Sequence, residues 1–227
     1  MKKIEQIKDW KEMIGAVMHA DCLDVMQKMP DNCVDLILTD PPYGIGFDNY
    51  ERGKSSLKTR KRYTKNGQKN WDAEIPLTEC FREIFRISKN QIIWGANYFW
   101  GDMFPNTQCF IFWNKKQPLK NFAAGELAWT SFKRPASYFE HAYYGNVNNE
   151  PNGRQHPTQK PLELGRWCLE NYTKKEEREK MIVFDPFGGS FTFARACQDM
   201  GIKFISCDME KEYCEIGENR LKQQNLF

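Results

Sequence analysis

Two apolar stretches of this chain each stop dead at an Asp-Pro pair, and few architectures accommodate that twice. The first, Val34–Thr39 (VDLILT), runs into Asp40-Pro41-Pro42-Tyr43. The second, Met181–Phe184 (MIVF), runs into Asp185-Pro186-Phe187-Gly188-Gly189-Ser190. Short, β-rich runs without polar alternation are what strands buried on both faces of a parallel sheet look like. Proline has no N–H to donate, so a strand ends where it enters. In open α/β sheets, ligands bind beyond the carboxyl ends of the strands. Both aspartates are therefore delivered to the edge where a ligand is expected.

The rest of the chain repeats this alternation. Further strands are expected at Ala16–Ala20, Gln91–Trp94, Cys109–Trp113 and Lys203–Cys207. Helices are expected at Leu23–Lys28, Leu77–Ile87, Leu162–Tyr172, Thr192–Met200 and Glu210–Gln223, with Pro161 as the first residue of its helix, where a missing N–H costs little. The pattern predicts an α/β fold with a mostly parallel sheet and helices on both faces. The 227 residues fit a single domain, residues 1–227. Two stretches break the alternation. Residues 47–70 are polar and carry eight basic residues (Arg52, Lys54, Lys58, Arg60, Lys61, Arg62, Lys65, Lys69) against Asp48 and Glu51, and read as a loop. Residues 114–155 are aromatic, with Asn and Gly turns, and read as an irregular insertion or short β ribbons.

Composition narrows the classes. A net charge of +3 does not by itself demand a nucleic-acid partner. The Lys-rich start lacks the apolar core of a secretory signal, and no apolar run is long enough to span a bilayer. Eight cysteines without a CxxC pair predict a reduced, cytoplasmic protein. No paired cysteines or His pair at ligand spacing supports a metal site.

The second Asp-Pro turn carries glycines, which let a backbone approach a ligand closely. The next apolar run, Lys203–Cys207, ends at Asp208, and a carboxylate at the end of the following strand suits ribose hydroxyls. Together they indicate a nucleoside cofactor. GxGxxG and GxxxxGK[ST] are both missing, so neither a dinucleotide cradle nor a P-loop is supported. A third polar run, His156-Pro157-Thr158-Gln159-Lys160-Pro161, precedes a helix whose N-terminus favours anions, so Thr158 and Lys160 are placed to reach a carboxylate.

In this order the three segments resemble the amino-methyltransferases of DNA, in their circularly permuted β-type arrangement. That family has D-P-P-Y early, H-P-T-Q-K-P later and F-x-G-S-G-T near the C-terminus. Here they stand as Asp40–Tyr43, His156–Pro161 and Phe187–Thr192. The stretch His19-Ala20-Asp21-Cys22 is similar to the family's opening G-D-C. The resemblance implies a Rossmann-like class I methyltransferase fold and S-adenosylmethionine as methyl donor. It implies Asp40, Pro41, Pro42 and Tyr43 at the target base, with Asp40 also bordering the cofactor. It implies Asp185, Pro186, Phe187, Gly188, Gly189, Ser190 and Thr192 around the methionine part and Asp208 on the ribose. Asp21 and Cys22 would neighbour the adenine, and Thr158 and Lys160 the carboxylate end. One departure stands out: Phe191 replaces the family's second glycine. The expectation is a narrower pocket or weaker cofactor binding.

The residues suit that chemistry. The lone pair of an exocyclic amino nitrogen is delocalised into its ring, which makes it a poor nucleophile. A carboxylate accepting an N–H pulls the nitrogen toward sp3 geometry, and Pro41 C=O is placed to accept the second N–H. Tyr43 offers a flat face for an extruded base. Transfer is then a direct in-line displacement in which positioning supplies much of the rate. The basic loop follows Tyr43 directly, so Lys58, Arg60, Lys61 and Arg62 are expected at DNA phosphates, with Lys115 and Lys116 of the insertion as further contacts. The insertion stands where the family places target recognition. It is short, so recognition rests on few residues or on a second subunit in a homodimer. Double-stranded DNA is the expected partner, and a cognate restriction endonuclease a further one. Carbon-5 cytosine methylation needs a cysteine nucleophile, which follows a proline in the related enzymes, and no cysteine follows a proline here. The family's cytosine-N4 enzymes usually begin the motif with Ser, so Asp40 favours adenine N6. The alternatives are a cytosine-N4 enzyme, a catalytically weak DNA-binding relative with an impaired cofactor site, and a nucleotide-dependent oxidoreductase.

Overall fold

The computed structural model describes residues 1–44, 76, 78–98, 104–118, 123–143 and 159–223. These form a nine-stranded sheet. In chain order its strands are β1 (Lys2–Lys3), β2 (Val17–His19), β3 (Val34–Thr39), β4 (Ser88–Trp94), β5 (Phe110–Asn114), β6 (Gly125–Thr130), β7 (Ser137–Glu140), β8 (Ile182–Asp185) and β9 (Lys203–Asp208). The helices are α1 (Cys22–Gln27), α2 (Thr78–Ile87), α3 (Leu162–Tyr172), α4 (Thr192–Asp199) and α5 (Lys211–Lys222). The spatial strand order is β1-β2-β9-β8-β3-β4-β6-β5-β7.

From β1 to β4 every neighbouring pair is parallel. The alternation of β3 sorts the two faces. Ile37 packs with Val25, Met26, Phe81 and Ile84 of α1 and α2. Leu36 and Leu38 pack with Leu164, Cys168, Phe193, Ala196 and Cys214 of α3, α4 and α5. Burial on both sides is why β3 and β8 read as continuous apolar runs. A side-chain cap fixes the entry to α1, where Asp21 accepts from Leu23 N at 2.8 Å. Pro161 takes the N-cap position of α3, with φ −66° and ψ 143°, one residue before the helical position expected for it. Extended ψ there lets the preceding chain arrive along the sheet edge rather than along the helix axis.

The stretch 114–155 is more regular than its composition suggests. It supplies β6 and β7, both of which join the main sheet. β6 lies between β4 and β5 and runs antiparallel to both, pairing Trp94 with Ala128 and Phe112 with Leu127. Its polar residues are taken inward, Thr130 fully buried and Glu126 only 17% exposed, so apolar alternation is weak, and its strand character comes from the two neighbours that hold it.

Candidate active site

The parallel pairs put the ends of β9, β8, β3 and β4 along one edge, at the usual strand spacing of about 4.7–4.9 Å. β3 and β8 are direct neighbours, with Leu36 opposite Val183 and Ile37 opposite Phe184. The Asp40 turn and the Gly188–Gly189 turn therefore emerge side by side. Thr39 Oγ1 donates to Asp185 Oδ1 at 2.7 Å, which ties the two strand ends together.

On the β8–β9 side, Asp185 also accepts from Phe187 N at 3.1 Å. Its carboxyl is pushed up to about 7, chiefly by burial and further by the charges of Asp40 and Asp208, against the hydrogen bonds from Thr39 and Phe187. Asp208 accepts from Gly189 N and from Glu210 N, each at 2.8 Å. Each carboxylate oxygen takes one of these two bonds. Gly189 adopts φ +51°, a conformation that glycine takes without a Cβ penalty. Ser190 and Thr192 are buried and face inward. Their hydroxyls meet at 3.1 Å, and Arg220 Nη1 donates to Ser190 O at 3.2 Å and to Thr192 Oγ1 at 3.0 Å. Thr192 Oγ1 also donates to Lys160 O at 3.3 Å, coupling this turn to the third motif.

Phe191 lies in the core. Its ring is fully buried and packs in the core with α3 and α4. A Cβ on Gly217 of α5 would lie 2.4 Å from the ring, and one on Gly188 would lie 2.8 Å from it. Two glycines thus hollow out a seat beneath the turn. The ring points into the core, toward α3, α4 and Gly217 of α5. The backbone cost remains: Phe191 holds φ 55° and ψ 35°, the left-handed region, at about 1–2 kcal/mol for a residue with a Cβ.

On the β3–β4 side, Tyr43 Oη donates to Asp40 Oδ1 at 2.5 Å. Lys160 Nζ donates to Asp40 Oδ2, reaches Tyr43 Oη at 3.2 Å and lies 5.4 Å above the Tyr43 ring. Lys160 was expected at the cofactor's carboxylate, and here its partners are on the target-base side. Glu126, at the start of β6, lies 3.1 Å from Lys160 and accepts from Lys115 with its other oxygen. Sequence reasoning missed this acid. Because β6 is antiparallel, its first residues arrive where β4 ends, as the bond from Gly95 N to Leu127 O at 2.8 Å shows.

Burial raises the Asp40 carboxyl; Lys160 opposes that shift and Glu126 adds to it. Burial also works against ionisation of Glu126, yet Lys160 and Lys115 outweigh it and hold that carboxyl at about 2. Lys160 is desolvated too, and the two carboxylates more than restore its affinity for the proton. The Tyr43 hydroxyl is pushed well up, first by burial and then by Asp40 and Glu126, so it stays a donor. Tyr98, 46% exposed, stacks on Tyr43 with ring centroids 4.6 Å apart. Sequence reasoning missed Tyr98 as well. Gly95, at φ +70°, makes room for the Tyr43 ring; a Cβ there would lie 1.9 Å from Tyr43 Cε1.

The remaining expected residues sit as follows. Asp21 caps α1, and buried Cys22 lies 3.8 Å from Cys80, sulfur to sulfur. Val17–His19 pairs with Ser206–Asp208, which brings the Asp21 turn beside Asp208. Lys116 pairs with Glu140 at 2.7 Å and is half exposed. Lys115 is 20% exposed and engaged with Glu126. Thr158, Lys58, Arg60, Lys61 and Arg62 lie outside the described residues.

Similarity to known proteins agrees with this geometry. DNA adenine methyltransferase YhdJ of Escherichia coli (strain K12) is 29% identical over 249 residues, covering 90% of this chain and 82% of that protein. Type II methyltransferase M.HinfI of Haemophilus influenzae is 24% identical, covering 96% of this chain and 70% of that protein. Among solved structures, the M1.HpyAVI–SAM complex superposes with a TM-score of 0.58 at 19% identity, over 92% of this chain and 99% of that one. The PvuII DNA methyltransferase (cytosine-N4-specific) gives 0.60 at 16% identity, over 93% and 87%. These structural likenesses establish a class I methyltransferase fold. The DNA methylase family of N6 and N4 methyltransferases matches residues 34–219, most of the chain, and the protein belongs to that family.

Proposed function

We propose that this DNA methyltransferase transfers the methyl group of S-adenosylmethionine to N6 of adenine in double-stranded DNA. The observation that carries the reading is the adjacency of two acids, Asp40 and Asp185, both raised by burial, on neighbouring strand ends bridged by Thr39.

The β8–β9 edge fits the cofactor. Asp208, a carboxylate at the end of β9 fixed by two backbone donors, is of the chemistry that accepts from ribose hydroxyls. The Gly188–Gly189 turn lets the backbone come close, with the Phe191 ring packed beneath it in the core. Asp185 borders the methionine part, and Asp21 and Cys22 the adenine. When bound, the cofactor supplies an electrophilic sulfonium methyl.

The protein's own residues do the rest. Asp40 accepts an N–H of the target amino group and so localises the nitrogen lone pair toward the methyl. Tyr43 donates to Asp40 Oδ1, which fixes the plane of the carboxylate. The Tyr43 ring, supported by Tyr98, supplies a stacking surface for an extruded base. Burial of this corner strengthens each of these electrostatic contacts. Asp40 can also take the proton that the methylated nitrogen sheds, since its carboxyl is raised above the ordinary range.

Adenine is favoured because the motif begins with Asp rather than Ser and because YhdJ is named as an adenine methyltransferase. Residues 114–155 and the basic loop 47–70 are proposed for target recognition and phosphate contact. The relatives named as type II methyltransferases support a restriction–modification role with a separate endonuclease. The test is to incubate protein, cofactor and genomic DNA, then digest to nucleosides and identify the product by mass spectrometry. N6-methyladenine is expected. N4-methylcytosine would overturn the base assignment and leave the amino-methyl chemistry standing.

A further inference from the structure

We propose that Glu126 is a positioning residue for methyl transfer: by sharing the Lys160 ammonium with Asp40, it leaves an Asp40 oxygen able to accept the target amino group. This rests on the reading of Asp40 as that acceptor. An ammonium has three donors. Those of Lys160 are spoken for by Asp40 Oδ2, by Glu126 at 3.1 Å and by Tyr43 Oη at 3.2 Å. Lys160 and Glu126 are 5% and 17% exposed. With little water to screen it, an isolated Asp–Lys pair closes into a two-point contact that draws on both carboxylate oxygens. A second carboxylate divides the ammonium's attraction and holds it off-centre. Glu126 is suited to this because it stands on a strand, opposite Trp113, and is anchored at its other oxygen by Lys115.

The charges around Asp40 make the role measurable. Lys160, Glu126 and the Tyr43 hydroxyl face it directly, and Asp185 acts on it from β8. Lys115 acts at one remove, through Glu126. Replacing Glu126 by Gln removes a neighbouring negative charge that raises Asp40 and leaves Lys160 in place, so the Asp40 carboxyl gives up its proton more readily. Lys115→Met does the reverse.

The experiment is single-turnover methyl transfer against pH, on duplex DNA carrying the mapped target, with wild type, Glu126→Gln, Lys115→Met and Asp40→Ala. For Glu126→Gln the acid limb of the rate profile moves down by about half to one pH unit and the plateau rate falls, with cofactor affinity unchanged. For Lys115→Met the limb moves up. A purely structural Glu126 would lower rate or melting temperature and leave both limbs in place, and superimposable limbs overturn the proposal. Should Glu126→Gln not fold, as judged by circular dichroism, the Lys115→Met profile decides alone. Activity retained in Asp40→Ala would instead overturn the Asp40 reading itself.

Discussion

Thr39 Oγ1 and Asp185 Oδ1, 2.7 Å apart, join the ends of β3 and β8 through one buried hydrogen bond. It also opposes the larger effect of burial, which raises the Asp185 carboxyl. Thr39→Val keeps the side-chain shape and removes the donor, leaving a buried acceptor with one fewer partner. A loss of about 1–3 kcal/mol of stability is expected, together with weaker cofactor binding at neutral pH because Asp185 then holds its proton more tightly. Urea unfolding and cofactor titration at pH 7 check both. Unchanged affinity would mean that Asp185 binds no part of the cofactor.

Asp185 also predicts how stability depends on pH. Its carboxyl lies at about 7 in the fold against an ordinary 3.8. Between those values the native state binds a proton that the unfolded chain has released. Stability is therefore lost as pH rises through that window, the opposite of a salt-bridged aspartate. Asp185→Asn removes this contribution. The wild-type melting temperature should fall relative to that of Asp185→Asn between pH 4 and pH 8. A constant difference would place Asp185 in a more hydrated setting than this fold gives it.

The Asp40 carboxylate is expected to act in transfer and not in holding the cofactor. Asp40→Ala should reduce methyl transfer by about a hundredfold or more while cofactor affinity changes little. Calorimetry with cofactor alone separates the two effects. Substantial residual transfer would remove the carboxylate from the mechanism.

Gly95 follows the last residue of β4, and the structure gives it a specific duty. It turns at φ +70° and leaves space that the Tyr43 ring fills. Gly95→Ala would both strain that turn and push the ring from Asp40. Expected are a destabilisation of about 1–2 kcal/mol and at least a tenfold loss in transfer rate, since the Tyr43–Asp40 bond opens. Rates near wild type would show that the Tyr43 hydroxyl does not orient Asp40.

Much of this architecture was legible because parallel strands bury both faces and so announce themselves as apolar runs. β3 was expected and found at Val34–Thr39, and α3 at Leu162–Tyr172. Asp40 and Asp185 could be placed at one edge because each ends such a run at a proline. Glu126 could not, since nothing local in Gly125–Thr130 says that the strand is antiparallel or that it slips between β4 and β5. Tyr98 was hidden for a similar reason: its partner Tyr43 is distant in sequence, and an aromatic residue after a strand is usually core. Lys160 read as a helix-terminus cation, and its actual partners come from β3 and β6.

Phe191 shows most sharply where local reading stops. A large residue at a glycine position of a cofactor turn reads as an obstruction. The structure resolves this with Gly217, which lies on a different helix and makes the hole that the ring enters. Two contributions then oppose each other in Phe191→Gly. Relief of the left-handed backbone favours the variant by about 1–2 kcal/mol. Loss of a fully buried aromatic ring disfavours it by about 3–5 kcal/mol. The ring dominates, so restoring the family's glycine should destabilise the protein by roughly 1–4 kcal/mol. Cofactor affinity should not improve, because the ring packs in the core. Denaturant unfolding and cofactor titration of Phe191→Gly measure the two quantities separately. A stable variant with markedly tighter binding would place the ring in the cofactor's path after all.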